Sequence, residues 1–125
     1  MKKILLVDDE FALADTLKEF LEQEGYLVEY AGNGKEALEA LAQSQPDLVI
    51  SDMMMPIMDG KALLKAMRDD PNLKSIPVVL ASAALRQIVL PADERLPAFS
   101  AFLRKPLQLD EFLSLVVELI GAGGS

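Results

Sequence analysis

Cysteine and histidine are both absent from the 125-residue sequence. Without cysteine the chain can form neither a disulfide nor a thiolate metal site, and such a composition suits a reducing compartment. Without histidine it has no imidazole for binding a metal, for a catalytic triad or for carrying a phosphoryl group. Any phosphohistidine in its chemistry would therefore have to belong to another molecule.

Positive charge is also scarce, because 12 Lys and Arg residues face 20 Asp and Glu residues and the formal net charge is −8. We therefore expect no direct binding to nucleic acid or to an anionic membrane. Basic or metal-bearing partners fit this charge better.

Long apolar runs are lacking as well. Residues 1–7 resemble the start of a signal peptide, with two lysines before an apolar run, but that run stops at Asp8. No apolar stretch reaches the length needed to span a bilayer. We interpret the first run as a β-strand and expect a cytoplasmic protein.

The chain does contain enough apolar material for one globular domain. Hydrophobic residues make up 51% of the sequence and charged residues 26%, which are ordinary values for a folded protein. We expect a single domain over residues 1–120. The glycine-rich end, residues 121–125, predicts a flexible tail.

Apolar segments with the length of buried strands alternate with segments of helical periodicity. The turn signals between them include Gly25 after the first helix, Asp59 as a helix cap and Pro71 just beyond a helix end. This alternation predicts an α/β fold, a doubly wound parallel sheet with helices on both faces. The predicted strands cover residues 3–7, 27–31, 48–52, 78–81 and 99–103, and the predicted helices cover 11–24, 35–43, the stretch from Asp59 to about 70, and 109–120.

Two segments depart from simple patterns. Between residues 85 and 98, Pro91 and Pro97 exclude one long helix, so this fourth helix is predicted to be short or irregular. In the last helix, Leu115 and Leu119 lie off the apolar face and are interpreted as isolated surface leucines, with partner contact as the alternative. That face consists of Leu109, Phe112, Leu113, Val116, Val117 and Ile120.

Chemistry-bearing side chains follow four of the predicted strands. The first strand ends in the acidic run 8–10, the third in Asp52, the fourth in Ser82 and the fifth in Lys105, whose bond to Pro106 is a candidate cis peptide. Because the carboxyl ends of parallel strands meet at one edge of a sheet, we expect these groups to converge. Taken singly, they also fit an acidic helix-capping turn, a loop aspartate, a turn hydroxyl and a surface lysine.

Converging carboxylates repel one another and need a compensating cation. Mg²⁺ prefers oxygen ligands and keeps open positions, so we expect it between Asp9 and Asp52. A phosphoryl group in those positions could accept a hydrogen bond from Ser82 and pair with Lys105, while Asp52 acts as the nucleophile. The pattern predicts a phosphoryl-transfer site with an aspartyl acceptor.

Four motifs spread over nearly the whole chain resemble the receiver domains of two-component response regulators, the CheY-like family. They are ILLVDDE at residues 4–10, PDLVISDMMMPIMDG at 46–60, PVVLASA at 77–83 and FLRKP at 102–106. The resemblance implies a flavodoxin-like fold with strand order 2-1-3-4-5. It also implies a phosphoacceptor rather than an enzyme, supplied by a histidine kinase or a histidine phosphotransfer protein.

The resemblance further implies the metal ligands. Asp52 would accept the phosphoryl group, and Mg²⁺ would be bound by Asp9, Asp52 and the backbone carbonyl of Met54. Asp8 would act through water. These assignments follow from the matching positions in the motifs.

The remaining roles concern phosphoryl binding and switching. Ser82 and Lys105 would hold the phosphoryl oxygens, and Phe102 would turn inward when Ser82 moves toward the phosphoryl group. The changed surface would then be read by an unidentified downstream partner. An ordinary core aromatic is the alternative interpretation of Phe102.

Two departures from the family pattern affect these expectations. The prolines at 91 and 97 put the usual dimer and partner surface in doubt, so a monomer or weak dimer is expected. Met54, two residues after Asp52, offers no polar side chain for a hydrolytic water, which predicts a long-lived phosphoryl group. The alternatives are a phosphorylation-independent interaction module that uses the segment around Pro91 and Pro97, and an aspartyl-phosphate phosphatase.

Overall fold

The computed structural model describes residues 1–84 and 97–124. Within these residues a five-stranded sheet has the order β2-β1-β3-β4-β5, and every strand pair is parallel. The predicted fold class and strand order are confirmed. The elements are β1 (Lys3–Val7), α1 (Phe11–Gln23), β2 (Leu27–Ala31), α2 (Gly34–Gln43), β3 (Leu48–Asp52), α3 (Gly60–Asp69), β4 (Val78–Ser82), β5 (Ala101–Arg104) and α4 (Leu109–Ile120).

Most element boundaries agree with the sequence prediction because their turn signals act locally. Gly25 ends α1 with φ of 92°, a conformation that favours glycine. Asp59 caps α3, since its side chain accepts a hydrogen bond from the Ala62 N–H at 2.9 Å. The predicted short or irregular helix around Pro91 lies outside the described residues.

The strand register aligns the carboxyl ends of the strands at one edge of the sheet. Val7 pairs with Ser51, so β1 and β3 end together. Asp52 pairs with Ala81, and Ser82 pairs with Arg104. The residues that follow β1, β3, β4 and β5 therefore start from neighbouring points, which is the condition for a shared site.

Two apolar cores hold the sheet between its helices. In β1, Leu5 and Val7 point to the core shared with α2 and α3, whereas Ile4 and Leu6 point to the core shared with α1 and α4. β3 and β4 are buried along their whole length, as apolar central strands of a parallel sheet should be. These buried strands form a rigid base for the loops at the carboxyl edge.

The start of the fifth strand was predicted too early. β5 begins at Ala101 rather than Phe99, and among the described strands only β4 pairs with it. Just before the strand, the Ser100 N–H donates to the Val78 carbonyl at 2.8 Å. Phe99 packs against the α2/α3 core from outside the strand. The length of an edge strand is limited by the residues of its single partner strand that pair with it. The apolar run from Phe99 did not reveal where that pairing begins.

The prediction of the buried face of the last helix was also partly wrong. Leu109 and Val117 are 42% and 40% exposed, whereas Leu115 and Leu119 pack against the α1/α4 core. Eight of the helix's positions are apolar, which leaves its inward face ambiguous in sequence. The neighbouring elements settle the rotation, with the Phe112 ring 6.5 Å from that of Phe20.

The described part of the tail lies beside the turn between α1 and β2. Gly124 donates a backbone hydrogen bond to the Gly25 carbonyl at 2.8 Å. The Tyr26 hydroxyl donates to the Gly121 carbonyl at 2.6 Å. Flexibility of residues 121–125 stays a prediction. Within residues 1–84 and 97–124, no helix combines the length and the apolar character needed to cross a bilayer.

Candidate functional site

Asp8 anchors the acidic run that follows β1. Its buried carboxylate accepts hydrogen bonds from the Glu10 N–H at 2.9 Å and from the Lys105 Nζ at 2.8 Å. Its backbone N–H donates to the Ala31 carbonyl of β2 at 3.1 Å. The turn is therefore fixed both to the neighbouring strand and to the lysine that follows β5.

Asp52, the last residue of β3, is only 8% exposed. Its carboxylate accepts a hydrogen bond from the Lys105 Nζ at 3.1 Å. Burial raises the pKa of Asp52 above its ordinary value; the Lys105 ammonium opposes that rise and the Asp8 charge adds to it. Burial therefore disfavours the charged form of Asp52, and Lys105 offsets this only in part.

Lys105 bridges the two buried aspartates. Burial alone would lower its pKa, but the hydrogen bond to Asp8 and the charges of Asp52 and Asp8 outweigh this and raise it, so the ammonium stays protonated. The backbone N–H of Lys105 donates to the Ser82 carbonyl at 2.9 Å. The Lys105–Pro106 peptide is cis, as the sequence suggested.

Ser82 lies at the same edge, at the end of β4. Its side chain is buried, and its hydroxyl oxygen accepts a hydrogen bond from the Ala84 N–H at 3.1 Å. A cavity of about 300 Å³ connects these groups, with Asp9, Asp52, Met54, Ser82 and Lys105 in its lining. The structure thus brings the predicted residues of four strand ends to one opening.

The grouping of carboxylates differs from the prediction in one respect. Ligand atoms of Asp8, Glu10 and Asp52 lie within 4.8 Å of one another, whereas Asp9, which is exposed and lines the cavity, is not part of this group among the described residues. Sequence reasoning treated Glu10 only as part of the acidic run. Its position two residues after Asp8 was the available signal.

The donor set fits a hard divalent cation. Ligand atoms of three carboxylates lie within 4.8 Å of one another, and Lys105 forms ion pairs with two of these residues, Asp8 and Asp52. Carboxylate oxygens beside an open cavity are the ligands that Mg²⁺ prefers, since it retains several waters. These residues can therefore form a metal-binding group.

The loop between β3 and α3 is held against the site. Ile57 has φ of 69°, a left-handed conformation that costs a non-glycine residue about 1–2 kcal/mol. The Met58 N–H donates to the Pro56 carbonyl at 2.7 Å, and the Gly60 N–H donates to the Met53 carbonyl at 3.1 Å. Met54 is 64% exposed beside this turn. Met54 and Asp52 both line the cavity.

Phe102 lies on β5 opposite Leu80 of β4. It is half-buried and packs against the α2/α3 core. Ser82 follows Leu80 by two residues, so the aromatic ring and the serine belong to the same pair of strands. Its role as a switch residue stays a prediction.

Comparisons with known proteins agree with this arrangement. A family model described as the response regulator receiver domain matches residues 4–117. Response regulator Rre1 of Synechocystis sp. is 37% identical over 122 residues, which cover 94% of this chain and 51% of that protein. Sporulation initiation phosphotransferase F of Bacillus subtilis is 35% identical over 116 residues, which cover 92% of this chain and 90% of that protein. This chain thus spans about half the length of Rre1 but most of the phosphotransferase.

A solved structure shows the same fold. Response regulator TrrA of Thermotoga maritima, in complex with Mg²⁺-BeF, has a TM-score of 0.83 and 34% identity, with 95% of this chain and 99% of that chain covered. This chain has the doubly wound parallel sheet, and the acidic group at the carboxyl edge of the sheet, that are expected of a receiver domain. The chain belongs to the response regulator receiver domain family of two-component systems.

Proposed function

We propose that Asp52 is the phosphoacceptor of this receiver domain and that the donor is a phosphohistidine of a histidine kinase or a histidine phosphotransfer protein. The carrying observation is the position of Lys105, whose Nζ lies 2.8 Å from Asp8 and 3.1 Å from Asp52 at a cavity that Ser82 also lines. The family and the relative named a phosphotransferase support the choice of donor.

Transfer exchanges one bond for another at phosphorus. A carboxylate oxygen of Asp52 forms the new O–P bond as the N–P bond of the donor breaks, and the imidazole nitrogen keeps the bonding electron pair. Lys105 then exchanges its contact with Asp52 for a phosphoryl oxygen, and the Ser82 hydroxyl donates to another. Both groups line the same cavity as Asp52.

Asp9, Asp52 and the backbone carbonyl of Met54 would hold Mg²⁺, with Asp8 contributing through water. When bound, the ion neutralises negative charge that builds up between the carboxylates and the phosphoryl oxygens. Glu10 lies close enough to Asp8 and Asp52 to add to the negative field that attracts it. Without a cation, this field would repel an incoming phosphoryl group.

Phosphorylation would change the surface that a downstream protein reads. Movement of Ser82 toward the phosphoryl group would open space into which Phe102 turns, because both lie on the β4–β5 pair. We expect a monomer or weak dimer that acts in the cytoplasm. The downstream partner would recognise the β4–β5 side of the domain.

The test is intact-mass measurement after incubation with acetyl phosphate. With Mg²⁺ the protein should gain the mass of one phosphoryl group, and peptide mapping should place it on Asp52. With EDTA in place of Mg²⁺ the gain should disappear. Uptake that is unaffected by EDTA, or located at another residue, would refute the proposal.

Met54 predicts a long phosphoryl lifetime. Its exposed thioether beside Asp52 is a poor hydrogen-bond partner for an attacking water. Met54→Asn introduces an amide that can orient such a water, so we expect dephosphorylation to be about threefold to tenfold faster. Loss of the mass increment with time measures the rate.

Ile57→Asn is the matched control for that change. It adds the same amide to the same loop, three residues further on, and asparagine tolerates the left-handed conformation at this position. Its phosphoryl lifetime should equal that of the unmodified sequence. Equal lifetimes for the Met54→Asn and unmodified proteins would show that this side chain does not control hydrolysis.

A further inference from the structure

Tyr30, on β2, contacts the acidic turn after β1 through its side chain. This contact is not one of the backbone hydrogen bonds that pair β1 with β2. Its hydroxyl donates a 2.6 Å hydrogen bond to the backbone carbonyl of Asp8. On the other side of the same residue, the Asp8 N–H donates to the Ala31 carbonyl. β2 therefore holds both peptide groups of Asp8, one through its backbone and one through a side chain.

The bond to the Asp8 carbonyl has a consequence for the next residue. A carbonyl and the following N–H lie in one rigid peptide plane, so fixing the Asp8 carbonyl fixes the direction in which the chain enters Asp9. That direction sets the starting point of the Asp9 side chain at the rim of the cavity. Meanwhile the Asp8 carboxylate is held by Glu10 and Lys105.

The Tyr30 hydroxyl is itself held in place as a donor. The Phe11 ring meets the Tyr30 ring edge to face, with centroids 5.4 Å apart and planes at 81°. Burial raises the pKa of Tyr30, and the charges of Asp8, Glu36 and Asp9 raise it further. The hydroxyl thus keeps its proton at neutral pH and can always donate.

We propose that Tyr30 is a positioning residue for the metal site: its hydroxyl orients the Asp8–Asp9 peptide and so sets the direction from which the Asp9 carboxylate approaches the cation. This inference rests on the proposed function, because it assumes that Asp9 and Asp52 bind Mg²⁺. Residues that hydrogen-bond to metal ligands without touching the metal orient those ligands. Their mutation commonly weakens metal binding by an order of magnitude or more. A tyrosine on the neighbouring strand thereby tunes a site that it does not touch directly.

The test is Tyr30→Phe, which keeps the ring and its contact with Phe11 but removes the hydroxyl. Calorimetric titration with MgCl₂, without any phosphodonor, should give a dissociation constant about threefold to tenfold higher. In acetyl phosphate assays the Mg²⁺ concentration for half-maximal rate should rise by the same factor. The rate at saturating Mg²⁺ should stay unchanged, because the Asp52, Ser82 and Lys105 groups are intact.

Tyr26→Phe is a closely matched control. The Tyr26 hydroxyl also donates to a backbone carbonyl at 2.6 Å, but its acceptor is Gly121, directly after α4. Both variants lose one hydroxyl and one hydrogen bond of equal length. Their melting temperatures in EDTA should fall by similar amounts, whereas only Tyr30→Phe should weaken Mg²⁺ binding.

The possible results distinguish a failure of the inference about Tyr30 from a failure of the proposed function. Unchanged Mg²⁺ affinity in Tyr30→Phe, an equal loss in both variants, or no Mg²⁺ binding by the unmodified protein overturns the inference. Mg²⁺ binding that depends on Tyr30, in a protein that takes up no phosphoryl group, would refute the proposed function alone.

If Tyr30→Phe does not fold, Phe11→Leu serves instead, since it removes only the exposed ring that supports Tyr30. It should raise the dissociation constant about twofold to threefold, and an unchanged value overturns the inference.

Discussion

Replacing Asp52 with asparagine is expected to abolish phosphoryl uptake and to stabilise the folded protein. The amide nitrogen and oxygen are poor nucleophiles, so no aspartyl phosphate can form at this position. Intact-mass measurement after incubation with Mg²⁺ and acetyl phosphate should show no added phosphoryl group. A full mass gain in Asp52→Asn would contradict the assignment of the acceptor.

The stability gain follows from the electrostatics of the buried carboxylate. Burial raises the pKa of Asp52 even with Lys105 beside it, so the charged form destabilises the native state at pH values above that pKa. The Asp52→Asn substitution removes this penalty, so we expect the variant to have a higher Tm than the unmodified protein in EDTA at neutral pH. As the pH falls toward the unfolded value the native carboxyl becomes protonated, so the advantage of the variant should shrink.

Asp59→Asn is the control for both effects. This residue lies in the loop that follows Asp52, and its side chain caps α3 by accepting a hydrogen bond from the Ala62 N–H. Asparagine caps helices about as well as aspartate, so stability should change by less than about 0.5 kcal/mol. Phosphoryl uptake should remain complete. Loss of uptake in Asp59→Asn would mean that the loop, rather than the acceptor, determines the result.

Gly60→Ala is expected to cause a large loss of stability. A Cβ built at Gly60 would overlap the carbonyl oxygen of Asp52, and it would lie 3.0 Å from the Cα of Met53. Both obstacles are backbone atoms, so neither can rotate away, and the strand end that carries Asp52 must shift. We expect a cost of about 3 kcal/mol and a fall in Tm of roughly 10 °C, measured by thermal denaturation. Phosphoryl uptake should slow as well, because the end of β3 that carries Asp52 must shift relative to Lys105.

Gly32→Ala separates this steric effect from the general effect of adding a methyl group. A Cβ at Gly32 would lie 3.2 Å from Glu36 Oε1, which is the end of a flexible side chain that can move. The cost should stay below about 1 kcal/mol. If Gly60→Ala is tolerated as well as Gly32→Ala, the close approach between α3 and the end of β3 does not constrain the site.

The sequence was sufficient for the order of the elements and for the convergence of Asp52, Ser82 and Lys105 at one edge of the sheet. Buried strands are marked by apolar runs such as residues 48–52, and their ends by residues such as Gly25 and Asp59, whose effects are local. Once the strands are parallel, Asp52, Ser82 and Lys105 must follow their strands to the same edge. Their meeting at one edge therefore follows from two features that the sequence reveals, namely which residue ends each strand and that the strands are parallel.

Only the tertiary structure decided which side chains actually meet. The rotation of α4 depends on packing against α1, so Leu115 and Leu119 proved inward-facing while Val117 did not. The grouping of Glu10 with Asp8 and Asp52, and the bond from Tyr30 to the Asp8 carbonyl, depend on strand register and side-chain rotamers. Contacts of a few ångströms between residues far apart in sequence arise from the packing of the whole domain, and local patterns do not encode them.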